Sequence, residues 1–393
     1  MPDFEQIREG KRSYVDKTGF IREWWDSGDR ATILMRPNGF GKTFNMSMLN
    51  CFFSDRYKGR SDLFEGTKIW DDDMMRELQG KYPVIFISFA DVEADTFEEA
   101  QTILKKKIAA LFGEDINNLE RFTGGLVRSG VNEGMDDALF YSGLKILCDY
   151  NMDRCGEKTI ILIDDYDVPF REAHIHGYED SIIPYIEKLF VSTFRNNDNL
   201  ARVMMAGVTN YPGDPVFGEF WFTAMTAAAP KYDAYFGFSE NELNQLLGEA
   251  VNKPWLDKWC GGYSIGRNKN IYCPQMADVF VRLKQGEEVA CRRDGLLWYL
   301  LLYWHDELAK PLSELLNGGT VKVGIDEEVD YTRMDEGCCA VWGYMVAEGY
   351  LRIDSMEYVE NVIEPQYQVS VCNLDCRNIL VNALQECERL LYC

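Results

Sequence analysis

The stretch ATILMRPNGFGKTFNMSML occupies positions 31–49. An apolar run ends at Met35, Arg36-Pro37 interrupts it, Asn38-Gly39-Phe40-Gly41 supplies two glycines, and Lys42-Thr43 opens an amphipathic segment. This order predicts a strand over 32–35, an anion-binding turn, and a helix over 43–53. The phosphate-loop pattern G-x-x-x-x-G-K-[ST] expects glycine where this chain has Arg36. Pro37 holds Arg36 extended, so the turn is entered by an unusual route. Gly41 lets the backbone approach a phosphate without a side chain in the way. Lys42 would reach the β- and γ-phosphates, and the Thr43 hydroxyl would ligate Mg²⁺. An ordinary strand–turn–helix junction is the bland alternative for this stretch alone.

Outward from the loop, short apolar runs alternate with longer amphipathic ones. Strands are predicted over 83–89, 159–163 and 203–208, and helices over 97–112, 138–150 and 180–194. Continuous apolar strands between helices imply an α/β fold, a P-loop NTPase parallel sheet sandwiched by helices. Beyond residue 238 the pattern changes. Ser239 and Glu242 form a capping-box signature for a helix over 239–250. Helices follow around 277–283 and 295–308. From 312 onward the chain reads mainly helical, with a β-hairpin near 349–371. The expected organisation is a P-loop domain over 1–240, then a helical lid and a winged-helix-like domain over 241–393.

Two further segments carry chemistry. TIILIDDYD ends a buried strand at Asp164, the place of a Walker-B aspartate holding the Mg²⁺ shell. Asp165 takes the next position, where a carboxylate orients the attacking water, but its arm is one methylene shorter than a glutamate's. Asp164, Asp165 and Asp167 also suit a plain turn and helix start. RVMMAGVTNYPGD ends a strand in Thr209-Asn210, polar residues at the carboxyl edge where ligands sit in open α/β sheets. Either could sense a γ-phosphate, and a simple Asn-Tyr-Pro-Gly turn explains them equally well. Asp16-Lys17-Thr18 reads most simply as the N-terminal cap of a helix. Trp255, Trp259, Tyr263, Tyr272 and Trp298 read as small-domain core rather than a stacking surface.

Bulk composition excludes some classes. The chain has 393 residues, 46% hydrophobic, and a formal net charge of -23, which opposes unspecific nucleic-acid or anionic-membrane binding. The apolar run over 295–304 is too short to span a bilayer. Twelve cysteines and three histidines show no metal-ligand spacing, and the charged start carries no signal-peptide core. The expected setting is cytoplasmic, with no membrane partner.

Several motifs in order resemble the AAA-ATPase-like family of bacterial proteins, which often carry a C-terminal PD-(D/E)XK nuclease-like module. They are YVDKT at 14–18, RPxxFGKT at 36–43 followed by Asn45-Met46-Ser47-Met48-Leu49, then YPVIFISF, LIDDYD and AGVTN. Trp259-x-x-Gly-Tyr263, Tyr303-Trp304, Gly349-Tyr350-Leu351 and VCNLDCR extend the resemblance over nearly the whole chain. In that family arginine stands at the position of Arg36. The family usually has two arginines at Asn38-Gly39, glutamate at Asp165, and arginine at Asn210. The nuclease-like module is not evident. The resemblance implies ATP and Mg²⁺ as ligands and a YVDKT segment lying against the base. Cofactor contacts would come from Arg36, Pro37, Asn38, Gly39, Phe40, Gly41, Lys42, Thr43 and Thr209. Thr43 and Asp164 would serve the metal, and Asp165, Lys42 and Asn210 would act in catalysis.

Two functions remain in view. One is a Mg-ATP-binding protein with slow hydrolysis. The other is a non-catalytic regulatory or scaffold protein with a degenerate nucleotide site and an unknown protein partner. A nucleic-acid enzyme rests on the resemblance alone and is disfavoured by charge.

Overall fold

The computed structural model describes residues 3–113, 115–127, 134–213, 216–217, 220–248, 252–284, 294–358 and 365–392. Its centre is a sheet of β1 (Ala31–Met35), β2 (Val84–Ser88), β3 (Thr159–Asp164), β4 (Leu200–Gly207), β5 (Val216–Phe217) and β6 (Phe220–Met225). The order is β2-β3-β4-β1-β6-β5. β2, β3, β4, β1 and β6 run parallel, and only β5 is antiparallel to its neighbour.

Every residue of β1 and β3 is buried, as expected when helices cover both faces of a parallel sheet. The Lys42–Phe53 helix packs across β2, β3 and β4, with the Phe4–Glu9 and Gly19–Asp26 helices against it. A second group, Phe97–Gly113, Asp137–Cys155 and Glu179–Phe194, packs on itself and reaches the sheet through β3 and β5. Because β1, β3 and β4 run parallel, their carboxyl ends lie at one edge of the sheet, where ligands sit in open α/β sheets.

β6 was not expected from the sequence. Its run FWFTAM follows a Gly/Pro-rich stretch of sequence and lacks a clean two-residue alternation, so its pairing with β1 and β5 defines it.

The Glu240–Leu247 helix starts with the expected capping box, Ser239 and Glu242 bonding reciprocally. It joins the Lys253–Trp259 and Pro274–Lys284 helices around a small core of Leu243, Leu256, Cys260, Tyr272, Ala277 and Phe280, onto which Trp255 and Trp259 pack.

The helix expected over 295–308 is two helices, Gly295–Tyr303 and His305–Leu316. The break at Trp304 is fixed by its indole N–H, which donates to the Met334 carbonyl at 3.0 Å. The region read as helical beyond 312 contains a strand, Val321–Gly324, whose alternating buried and exposed residues suit a sheet edge. It pairs with Gln366–Val371, which also pairs with Leu351–Glu357, and the Cys338–Ala347 helix lies between the first and second strands in sequence. Among the described residues, no helix is long and apolar enough to cross a membrane.

Candidate functional site: a phosphate loop at the carboxyl edge of the sheet

The loop leaves β1 one residue late. Arg36 N–H donates to the Gly207 carbonyl at 3.1 Å, extending the β1–β4 ladder. The Arg36 side chain then turns into the protein. Nη1 donates to the carbonyls of Met35 (2.8 Å), Met225 (2.8 Å) and Thr226 (2.6 Å), and Nη2 to that of Lys231 (3.0 Å). Phe236 stacks under the guanidinium at 5.2 Å. Burial pulls its pKa down to about 10, so it stays charged at neutral pH. Arg36 therefore faces the loop with its backbone alone, and its side chain clamps the end of β6.

Gly39 and Gly41 both adopt left-handed backbone, φ 83° and 87°, which other residues reach only with strain. At Gly41 no atom lies within 4 Å of an added Cβ, so the start of the Lys42–Phe53 helix opens onto free space. Orphan N–H groups of a first helical turn make an anion cradle there. Lys42 is buried. Its ammonium donates to the carbonyls of Arg36 (2.9 Å) and Pro37 (3.3 Å) and to Asn38 Oδ1 (3.1 Å). Thr43, beside it, is exposed.

Asp164 ends β3 across β4 from the loop, paired with Ser88 and Ala206 in the ladder. It is fully buried, and neither carboxylate oxygen has a hydrogen-bond partner among the described residues. Burial first, and the neighbouring Asp165 carboxylate second, push its pKa up to about 7. The Thr43 hydroxyl and the Lys42 charge offset part of that rise, so both lie near Asp164. Asp165 holds a left-handed backbone, φ 49°. Its pKa is raised by burial and by Asp167, against the opposing charges of Lys42 and Arg171.

Asp167 has a structural task. Its Oδ2 accepts the backbone N–H groups of Val208 (2.8 Å) and Thr209 (3.1 Å), the Thr209 hydroxyl (3.4 Å) and the Tyr331 hydroxyl (3.3 Å). The Tyr166 hydroxyl donates to the Thr209 carbonyl. Glycine is needed at 207, where a Cβ would stand 2.7 Å from Asp167 Oδ1 and 2.8 Å from the Tyr166 ring. Thr209 is thus held by Asp167. Asn210 turns to the second half of the chain, its N–H donating to the Val329 carbonyl at 2.9 Å and its Oδ1 accepting from Tyr211 N–H.

A cavity of about 380 Å³ opens beside Phe40, Gly41 and Asn45. One wall comes from Tyr14 and Val15 and the other from the Glu240–Leu247 and Pro274–Lys284 helices, at Leu246, Leu247 and Ala277. Its size and mostly apolar lining suit a small organic ligand. The walls are joined by Lys17, which donates to the Ala234 carbonyl (2.8 Å) and to Glu242 (2.7 Å). Asp16 receives the N–H and hydroxyl of Thr18 and the N–H of Lys68, which fixes the YVDKT segment in place. No side-chain bond of Thr18 caps the Gly19–Asp26 helix.

The structure thus gathers Lys42, Thr43, Asp164 and Asp165 at one edge, with a ligand-sized cavity alongside. The family model described as a predicted AAA-ATPase matches residues 1–217. The chain belongs to the AAA-ATPase-like family. This membership carries nucleotide binding at the level of the family. The chain is also similar to an uncharacterized protein in the vnfD 5' region of Azotobacter chroococcum mcd 1. The two are 26% identical over 407 aligned residues, covering 97% of this chain and 68% of that protein.

Residues that sequence motifs did not single out also reach this edge of the AAA-ATPase-like domain. Asn38 Nδ2 donates to both carboxylate oxygens of Glu348, at 3.0 and 3.2 Å, and Arg171 lies close enough to influence Asp165. Neither Glu348 nor Arg171 sits in a local pattern that announces a site. Both are brought there by tertiary packing.

Proposed function

We propose that the chain binds ATP with Mg²⁺ at the carboxyl edge of its sheet and hydrolyses it slowly. The observation that carries this reading is Asp164, a buried carboxylate without a hydrogen-bond partner, with the Thr43 hydroxyl and the Lys42 charge near enough to influence it. Such a group is costly to bury alone and is matched by a divalent cation. A Mg²⁺ ion held by few protein ligands plus phosphate oxygens fits this donor set. Thr43 and Asp164 would hold it, and bound there it would neutralise charge on the transferred phosphoryl group. Lys42 and the N–H groups from Gly41 onward bind the phosphates. Gly39 and Asn38 shape the turn, and Arg36, Pro37 and Phe40 support it from behind. The base enters the cavity between Tyr14-Val15 and the lid. Asp165 stands where a water-orienting carboxylate is expected, and Thr209 and Asn210 order the end of β4 beside it.

Calorimetric titration with ATP, with and without Mg²⁺, tests the reading. Saturable binding that needs Mg²⁺ supports it. Lys42→Ala should weaken affinity at least about tenfold, the loss of one charge-assisted phosphate contact. Unchanged affinity in that variant would remove the assignment.

A second reading, a regulatory scaffold with a degenerate site, is favoured by one observation. Asn38, Gly39 and Asn210 leave the loop with little positive charge beyond Lys42. Restoring Asp165→Glu together with Asn210→Arg should raise turnover if the domain is an impaired engine, and leave it unmoved if it is a scaffold.

The strand–helix–strand–strand order over 321–371 supports a winged-helix-like unit. The helix such a unit would offer to a nucleic acid, Cys338–Ala347, is largely buried, and the net charge is -23. Both features favour a cytoplasmic protein partner over nucleic acid.

A further inference from the structure

A second cavity, of about 450 Å³, meets the loop at a different residue and is lined by Asn38, Arg171, Glu172, Asp294 and Glu348 among others. The first cavity meets the loop at Phe40, Gly41 and Asn45, and the second meets it at Asn38. Lys42 follows Gly41 of the first lining and is bonded to Asn38 of the second at 3.1 Å. A nucleotide with its base in the first cavity and its phosphates along the loop would run from Gly41 toward Asn38, where the second cavity begins.

That chamber holds the pieces that Asp165 and Asn210 lack. Glu348 is 4% exposed, and its carboxylate is aimed at the loop by the paired bonds from Asn38 Nδ2. Its arm is one methylene longer than that of Asp165. Arg171 enters from the Val168–His176 helix, sharing its guanidinium with Glu172 at 2.8 Å and Glu93 at 3.5 Å. Asp294 accepts from the Tyr344 and Tyr350 hydroxyls and caps the Gly295–Tyr303 helix. Glu172 is bonded by Arg171.

From this geometry we infer that Glu348, supplied by the second half of the chain, is the carboxylate that orients and deprotonates the hydrolytic water, with Arg171 stabilising the charge that develops on the γ-phosphoryl group. The inference rests on the nucleotide reading above. In the step it describes, the water oxygen forms a bond to the γ-phosphorus. The bond from that phosphorus to the β–γ bridging oxygen breaks, and its electron pair leaves with ADP. The water proton passes to the Glu348 carboxylate and from there to solvent, leaving ADP and inorganic phosphate.

The test pairs ATP affinity by calorimetry with single-turnover phosphate release, using the full chain and Mg-ATP. In Glu348→Gln, affinity should stay within about threefold while the single-turnover rate falls about 100-fold, the lower range for removing a general base. Glu348→Asp, which keeps the charge but shortens the arm, should recover part of the rate. Arg171→Ala should lower the rate, and Arg171→Lys should restore some of it. Thermal melting of each variant shows that it folds, and the Asp variant serves if the Gln variant does not. A Glu348→Gln protein that hydrolyses at the wild-type rate or faster overturns the inference. So does a wild-type protein that binds Mg-ATP and never releases phosphate. Failure of wild-type protein to bind ATP, or Lys42→Ala binding unchanged, instead removes the nucleotide reading, and the chamber's role falls with it.

Discussion

Asp167 receives the backbone N–H of Thr209 at 3.1 Å, from a loop more than forty residues earlier in the chain. The same oxygen takes the N–H of Val208 and the Tyr331 hydroxyl. One buried carboxylate thus joins the Walker-B-like loop, the end of β4 and the C-terminal half. Asp167→Ala leaves those donors unpaired and should cost about 3 kcal/mol of stability. Urea unfolding measures it, and a loss below about 1 kcal/mol would show that the carboxylate is dispensable.

Restoring the standard loop glycine should damage this protein. Arg36→Gly removes the cation that satisfies four carbonyls at the ends of β1 and β6 and in the segment beyond. Unpaired buried acceptors and a hole of guanidinium size should destabilise by at least about 3 kcal/mol. Arg36→Lys, which cannot reach several carbonyls at once, should recover only part of that. The readout is the melting temperature, and a stable glycine variant would show that the clamp is unimportant.

The pKa of Asp164 gives a pH dependence with a definite sign. Its folded value, about 7, lies above the ordinary 3.8. The folded protein therefore holds a proton that the unfolded chain releases between pH 4 and 7. The stability tied to this group is complete below about pH 4, declines as pH rises, and is gone above about pH 7. Asp164→Asn should flatten that decline and raise metal-free stability at pH 8 by roughly 1–3 kcal/mol. In the wild type, the Mg²⁺ requirement for ATP binding should sharpen from pH 6 to pH 8, because Asp164 must lose its proton to face a cation. A Mg²⁺ effect independent of pH would speak against Asp164 as the metal's carboxylate.

Filling the base cavity should separate base from phosphate recognition. Leu246 lines that cavity from the lid. Leu246→Trp should weaken ATP binding about tenfold, or 1.4 kcal/mol, and leave binding of inorganic triphosphate unchanged. Equal loss for both ligands would place the base elsewhere.

Much of this was legible in the sequence where local pattern and tertiary outcome agree. β1, β3 and β4 are continuous apolar runs, and the Lys42–Phe53 helix follows its glycines, so the sheet and loop could be read directly. β6 escaped because FWFTAM has no clean period and depends on β1 for its identity. Val321–Gly324 escaped because four residues are too short to outweigh helical surroundings. At the site, Lys42, Thr43 and Asp164 announce themselves by motif. The commitment of Arg36 to carbonyls of β6 and of Asp167 to β4 depends on contacts far apart in sequence, which no spacing rule encodes. Glu348 and Arg171 belong to that group as well.

The walls of the cavity beside Gly41 come from opposite ends of the first 281 residues, the segment at 7–17 and the segment at 238–281. Lys17 ties them through Glu242. During synthesis the amino-terminal wall emerges first and waits for its partner, since domains assemble as their residues leave the ribosome. That cavity cannot close until residues 238–281 have been made, and the Asn38–Glu348 bond forms later still. The cavity and the loop it borders therefore reach their final form only after contacts from the second half of these residues are in place.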